Sequence, residues 1–190
     1  MSEASRVIFL KGRRVILRPL READLNRCER WINDPEVRRF VGGKFPFSED
    51  QEREWFKDLK NRKDHILLAI ETVGGEHIGN MSLMRINWVN GIATTGALIG
   101  EKEYRGKGYG TEAKMLLLGY AFNTLGLRKI YSYVVASNRR SYRYSEKCGY
   151  KKEAKLKQHI LKNGRYYDMV ILAVFKKDWQ KARRKLRQTK

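Results

Sequence analysis

This chain is poor in the residues that build disulfide and metal frameworks. Its 190 residues include two cysteines, three histidines and three prolines. Cys28 and Cys148 lack C-x-x-C spacing, which argues against a disulfide scaffold and a zinc site and suits a reducing cytoplasm. His65, His77 and His159 are scattered without metal-ligand spacing, so no metal is expected. No apolar run approaches the roughly 18 residues of a membrane span. The opening residues, MSEASRVIFLKGRR, hold no stretch apolar enough for a signal peptide. The sequence predicts a cytoplasmic protein with no membrane partner. It also lacks internal repeats and low-complexity segments.

What is present is a globular composition with a strong charge bias. Hydrophobic residues make up 42% and charged residues 33%, in a chain long enough for one domain or slightly more. The net charge is +20, and residues 101–190 carry most of it, with 24 basic against 7 acidic side chains. A field of that sign favours anionic partners: a polyphosphate cofactor, RNA, or an RNA-rich assembly. The last fifteen residues, KKDWQKARRKLRQTK, have eight basic and one acidic side chain. For that tail, a lysine-rich solubility strategy is equally open.

The periodicity predicts an α+β domain. RRVILRPL (13–20) alternates like an edge strand that Pro19 ends. READLNRCERWINDPEV reads as an amphipathic helix with Leu25, Cys28, Trp31 and Ile32 on one side, stopped near Asp34-Pro35. SEDQEREWFKDLKN opens with a capping box, Ser48 to Gln51, and is expected to bury Trp55, Phe56 and Leu59. Residues 65–72, 77–87 and 92–100 then form an antiparallel meander. A helix over 111–125, a strand over 128–137 and a short helix over 138–149 follow. Asn138 is the N-cap of that short helix and Gly149 its C′ glycine. A hairpin turning at Asn163-Gly164 ends the domain at 175, and residues 176–190 form a basic helical tail that frays. The fold class is a mostly antiparallel central sheet with helices on both faces.

The stretch IGEKEYRGKGYGTEA (99–113) carries the chemistry. Gly106, Gly108 and Gly110 alternate with Arg105, Lys107 and Tyr109 between a strand and a helix. A helix N-terminus offers unpaired N–H groups and partial positive charge, and glycines let the backbone approach a phosphate. A pyrophosphate fits; a purely structural turn remains the alternative. A P-loop needs Gly-Lys-Ser/Thr at its end, but Gly108 follows Lys107. The G-x-G-x-G spacing after a meander also disfavours a dinucleotide fold.

Arg105-Gly106-Lys107-Gly108-Tyr109-Gly110 resembles the Arg/Gln-x-x-Gly-x-Gly/Ala signature of the GNAT superfamily of acetyl-CoA-dependent N-acetyltransferases. Downstream, Asn138, Ser141, Glu146, Lys147, Gly149 and Tyr150 resemble that superfamily's second shared element. The branch it looks most like contains the ribosomal-protein N-terminal acetyltransferases and their polyamine-acetylating relatives. The resemblance implies a splayed strand pair whose exposed backbone, at Leu98, Ile99 and Gly100, pairs with the pantetheine arm of acetyl-CoA. It implies that one of those N–H groups faces the thioester carbonyl. The pyrophosphate would lie on the amides of Arg105, Gly106, Lys107, Gly108, Tyr109 and Gly110, with Thr111 near, and Asn138 would hold the pantetheine arm. The amine would attack the thioester directly, without a covalent enzyme intermediate.

Two positions depart from the family pattern. Where many relatives place a general-acid tyrosine this chain has Ser145, with Tyr144 one residue earlier and about 100° away on a helix. Ser141 is the candidate acid, with helix N-terminal hydrogen bonding as its alternative role. Where relatives carry a strand glutamate as base, this chain has Thr95 and Gly96. Glu101 and Glu103 stand near the strand end, and Glu103 is the candidate base, with a solvated loop charge as the alternative. His77 and His159 read as structural, and Asp168 either orients substrate or caps the hairpin.

Weak provision for a base bears on the acceptor. An α-amine of pKa about 7.8 is roughly one-seventh neutral at pH 7, whereas an amine near 10.4 is neutral in about one molecule in 2,500. A cationic surround lowers an amine's pKa further and repels polycations. The expected acceptor is a protein N-terminus, with a polyamine or other small amine as the alternative. From a different class, the basic second half could serve as a non-catalytic RNA- or ribosome-binding module. A homodimer is compatible with the sequence.

Overall fold

The computed structural model describes residues 7–41, 46 and 48–188. Alternation along one strand shows how its layers form. In β3 (Ile66–Thr72), Ile66, Leu68 and Ile70 turn to one face of the sheet, while Leu67 and Ala69 turn to the other. Both faces are therefore covered. The other strands are β1 (Leu10–Lys11), β2 (Val15–Pro19), β4 (His77–Asn87), β5 (Ile92–Ile99), β6 (Lys129–Val135), β7 (Lys151–Lys162) and β8 (Arg165–Phe175). They form one eight-stranded sheet in the order β1-β2-β3-β4-β5-β6-β8-β7. All pairs are antiparallel except β5–β6.

One face carries α1 (Leu25–Asn33) and α3 (Glu49–Asn61), with α2 (Pro35–Arg38) between them in sequence. Leu25, Cys28 and Trp31 of α1 pack on Ala69 and Leu20. The other face carries α4 (Tyr109–Asn123), α5 (Arg139–Lys147) and α6 (Lys176–Gln188). α4 buries Ala113, Leu117, Leu118, Ala121 and Phe122, so it is a core helix rather than a surface one. Asn163 and Gly164 take φ of +48° and +72°, the left-handed pair that a two-residue hairpin turn demands.

Three local expectations are corrected. The strand at 13–20 is not the sheet's edge, because the two-residue β1 pairs outside it. In α3 the inward stripe is Glu52, Phe56 and Leu59, spaced i, i+4, i+7, and Trp55 is 37% exposed. The C-terminal helix continues to Gln188, anchored by Trp179, which is 2% exposed and donates Nε1 to Met115 O at 3.3 Å. Residues 1–6, 42–45, 47 and 189–190, which include the ends of the N-terminal and tail readings, lie outside the described residues. Among the described residues no helix is long and apolar enough to cross a membrane.

The core holds one unexpected charge. Lys114 is 1% exposed; its ammonium lies 4.2 Å from the Tyr144 ring centre, 4.7 Å from that of Tyr150 and 3.4 Å from Ser145 Oγ. Two ring faces and a hydroxyl hold it, yet burial pushes its pKa down to about 8. In the unfolded chain the lysine titrates near 10.5. Below pH 8 the folded state therefore bears the full penalty of a buried cation. Between pH 8 and 10.5 the folded state loses its proton first, and the penalty fades. Lys114→Met is expected to be more stabilising at pH 7 than at pH 10, by about 2–3 kcal/mol. Urea midpoints at the two pH values measure this; an equal effect at both would show that burial does not lower the lysine's pKa in the fold.

Candidate active site

The sheet divides where it becomes parallel. β5 and β6 pair only over Ile92–Thr94 and Lys129–Tyr131. Beyond Thr94, β5 stays with β4 as far as Ile99, while β6 stays with β8 as far as Val135. The half-sheets part and leave a wedge of about 490 Å³. At its apex Thr95 Oγ1 donates to Tyr131 O at 3.2 Å and accepts from the Tyr150 hydroxyl at 2.8 Å. In β4 the register shifts between Met84 and Asn87, where Arg85 takes φ +52°. A bulge of this kind increases local twist, which turns β4–β5 away from β6.

The ladder decides which amides face the wedge. Bonded and non-bonded positions alternate in an antiparallel pair. Gly100 N–H donates to Ile78 O at 2.9 Å. By alternation Gly100 and Leu98 direct their amides to β4, while Ile99 and Ala97 point theirs away from it, on the side where β5 has left β6; of these, Ala97 lines the wedge. Gly100 is also a packing requirement: a Cβ there would lie 2.0 Å from the Trp31 ring.

A buried charge cluster fixes Trp31. Arg18 donates to both oxygens of Asp24 at 2.7 and 2.8 Å and also pairs with Glu71. Asp24 accepts from Arg21 N–H at 2.8 Å and lies 3.3 Å from His77 Nδ1. Burial opposes charge on Asp24, but its hydrogen bonds with Arg18, His77 and Arg21 outweigh burial and hold the carboxyl well below the usual range. The His77 ring then meets Trp31 edge-on at 4.8 Å, and Trp31 Nε1 donates to Glu101 at 3.2 Å.

After β5 the chain makes a short turn at Lys102–Tyr104 and enters the glycine loop. Gly106 and Gly108 take φ of +77° and +88°, and α4 begins at Tyr109. Arg14, just before β2, grips this loop. Its Nη1 donates to Lys107 O at 3.0 Å, its Nε to Glu112 at 3.1 Å, and its guanidinium lies 4.7 Å over the Tyr109 ring. Because the peptide plane is trans, fixing Lys107 O on Arg14 points the Gly108 N–H the opposite way. The result is a set of loop amides beside a helix N-terminus, a geometry suited to a polyphosphate.

The family model described as an acetyltransferase (GNAT) domain matches residues 14–151. The chain belongs to the GNAT acetyltransferase family. It is an N-acetyltransferase, and acetyl-CoA is its acetyl donor. Spermidine N(1)-acetyltransferase of Escherichia coli K12 is 31% identical over 167 residues, covering 85% of this chain and 86% of that one. A putative ribosomal N-acetyltransferase, YdaF of Bacillus subtilis, is 32% identical over 106 residues, 56% of this chain and 57% of that one. Spermidine N-acetyltransferase of Vibrio cholerae, solved with CoA and spermine, superposes with a TM-score of 0.82 at 24% identity, over 87% of this chain and 98% of that one. At that identity the likeness carries the fold.

Against the GNAT pattern, the residues named from sequence separate into groups. Ile99 directs its amide away from β4, on the side of the gap, whereas the amides of Leu98 and Gly100 serve the β4 ladder. Arg105 turns its side chain inward, donating to Ile99 O at 2.9 Å and Gly100 O at 2.6 Å and pairing with Glu36 at 3.0 Å. It braces the loop rather than offering a free charge. Gly106, Lys107, Gly108, Tyr109 and Gly110 form the loop and first turn, with Thr111 next on α4. Asn138 and Ser141 both line the wedge. Asn138 Oδ1 accepts from Ser141 N–H at 3.0 Å, so among the described residues its Nδ2 has no partner.

Other expectations change. Glu103 is exposed on the turn before the loop and is not among the residues lining the wedge. Tyr144, about 100° from the family's tyrosine position, lines the wedge, with the Lys114 ammonium 4.2 Å from its ring centre. His77 is structural, but His159 is exposed and lines the wedge. Sequence reasoning missed Arg14 and Lys114. Neither lies in a motif, and Arg14 reaches Lys107 across 93 residues.

A side chain at Gly108 must occupy φ +88° and approach Arg14 Nη2 to 3.1 Å. Gly108→Val is expected to raise the Kd for CoA at least about tenfold, the equivalent of ~1.4 kcal/mol, by tilting the loop amides. Calorimetry with CoA, beside an unchanged circular dichroism spectrum, measures this. Wild-type affinity in the variant would remove the loop from the cofactor site.

Proposed function

We propose that this N-acetyltransferase acetylates the α-amine of a peptide or protein N-terminus. The observation that carries the reading is the chemistry of the wedge's open side. Phe40, Val41, Met84 and Met169 make it apolar, Arg85 makes it cationic, and no carboxylate lines it among the described residues. Residues 42–45 and 47 contain no acid in their sequence. A polyamine there would hold its remaining ammonium groups without counter-charge, in a protein of net charge +20. A peptide brings one amine, apolar side chains for the slot and carbonyl oxygens for Arg85.

In this reading the acetyl-CoA thioester supplies an activated acetyl group. Ile99 N–H donates to the oxygen on which negative charge develops. The amides of residues 105–110 and the N-terminus of α4 hold the diphosphate. Asn138 Nδ2 donates to the pantetheine arm, and Ser141 lies within the wedge to pass a proton to the departing sulfur. The exposed cations of α6, among them Lys177, Lys181 and Arg184, suit a substrate presented on RNA, such as a ribosomal protein. The near full-length likeness to a spermidine acetyltransferase supports the alternative acceptor, a polyamine.

Steady-state kinetics at pH 7 with N-terminal tetrapeptides and with spermidine decide between them. The expected result is a kcat/KM at least about tenfold higher for the best peptide, the equivalent of ~1.4 kcal/mol in transition-state binding. A preference for spermidine of that size would replace the peptide reading with the polyamine one.

A further inference from the structure

Transfer to an ammonium requires its proton to leave before the nitrogen can attack. Among the described residues lining the wedge, the ionisable side chains are Arg85, Tyr133, Tyr144 and His159. Arginine has no acceptor and stays protonated. A tyrosine hydroxyl is neutral at pH 7, and burial raises the pKa of Tyr144 further. Imidazole is the side chain suited to accept a proton near neutrality. His159 is exposed, so it can hand that proton on to water.

The hairpin is deformed at this histidine. β7 and β8 are in register at Leu156↔Met169 and again at Ile160↔Tyr167. Between those pairs three residues of β7 oppose Asp168 alone, and Gln158 takes φ +48°. Asp168 fastens the bulge from both sides. Its Oδ1 accepts from Gln158 N–H at 2.9 Å, and its Oδ2 pairs with Lys155 at 2.6 Å. These two contacts hold the Asp168 carboxyl below its ordinary range, Lys155 contributing most. Bulges re-aim side chains, and a left-handed residue outside glycine is held only where its surroundings over-determine it. Here the re-aimed side chain is the neighbour of Gln158, and it lines the wedge opposite β5.

From this juxtaposition we infer that His159 is the general base that deprotonates the acceptor amine, with Asp168 as the positioning residue that holds it there. The imidazole takes one proton from the ammonium and releases it to solvent. The freed nitrogen pair forms the N–C bond as the C–S bond breaks, and the sulfur takes the bonding pair. The nitrogen's second proton ends on the sulfur, so amide, free thiol and one solvent proton balance the reaction. The charged and titratable groups set around His159 are Arg85 on β4, Tyr133 on β6, Tyr144 on α5, and Lys155, Lys157 and Asp168 on its own hairpin.

The inference rests on acetyl transfer and not on which amine is the acceptor, so its test uses both the best tetrapeptide and spermidine. His159→Gln is expected to lower kcat/KM at pH 7 by about 10²–10⁴-fold with either amine, and to leave the CoA Kd within twofold. The deficit should shrink as pH rises and the amine loses its own proton. Asp168→Asn is expected to lower kcat by about tenfold or more, with CoA affinity and urea midpoint unchanged. His159→Gln within threefold of wild type, or a deficit constant from pH 6.5 to 9.5, would overturn the assignment. A preference for spermidine would change the proposed acceptor and leave this inference standing.

Discussion

A three-residue parallel pairing followed by divergence is the constraint on which the site depends. Once β5 leaves β6 at Thr94, its backbone toward the gap has no strand partner. Backbone amides without a strand partner are free to bond a ligand. The divergence is secured from both ends. Thr95, Tyr131 and Tyr150 tie the apex, and the Arg85 bulge twists the outer half-sheet away. Trp31 then sets where the strand must end, because no side chain fits at Gly100 beneath it.

Charge is distributed with similar economy. The basic excess lies on the C-terminal hairpin and helix, while many acidic groups near the site are engaged internally. Asp24 and Glu71 neutralise Arg18 in the core, Glu112 holds Arg14, and Glu36 holds Arg105. The wedge itself is left without an acidic lining among the described residues. A donor with a polyphosphate tail meets no repulsion at the loop, and a polycationic acceptor finds no counter-charge inside.

Much of this was legible in the sequence, for reasons specific to each element. The meander, the capping box at Ser48 and the Asn163-Gly164 turn are local: their residues adopt those conformations through their own backbone preferences, and the glycine loop was legible as a motif. The splay was legible only through family resemblance, since no propensity encodes where a parallel pair stops. Trp55 misled because hydrophobicity outweighed geometry, whereas Glu52 is the residue at the inward position. Glu103 was legible only as near the loop in sequence, and it stands beside Gly100 and Trp31 rather than on the wedge. His159 was unreadable as a wedge residue because two bulges in β7, at Lys152/Ala154 and Leu156/Ile160, break the parity on which strand reasoning relies. Lys114 reads as one of two charges on a largely apolar helix, and only the assembled rings of Tyr144 and Tyr150 explain why it is tolerated.

Arg14 gives the loop a dependence that its own sequence does not show. The loop's shape is fixed by a guanidinium 93 residues earlier, carried beside a strand that must first pair with β3. Closing so long a segment costs entropy that only the assembled sheet offsets. The loop geometry therefore requires the N-terminal strand to be docked. A fragment holding the glycine motif and α4 alone would own the right residues and lack the right loop. The shape of this loop is a property of the assembled sheet, and it depends on a residue far from it in sequence.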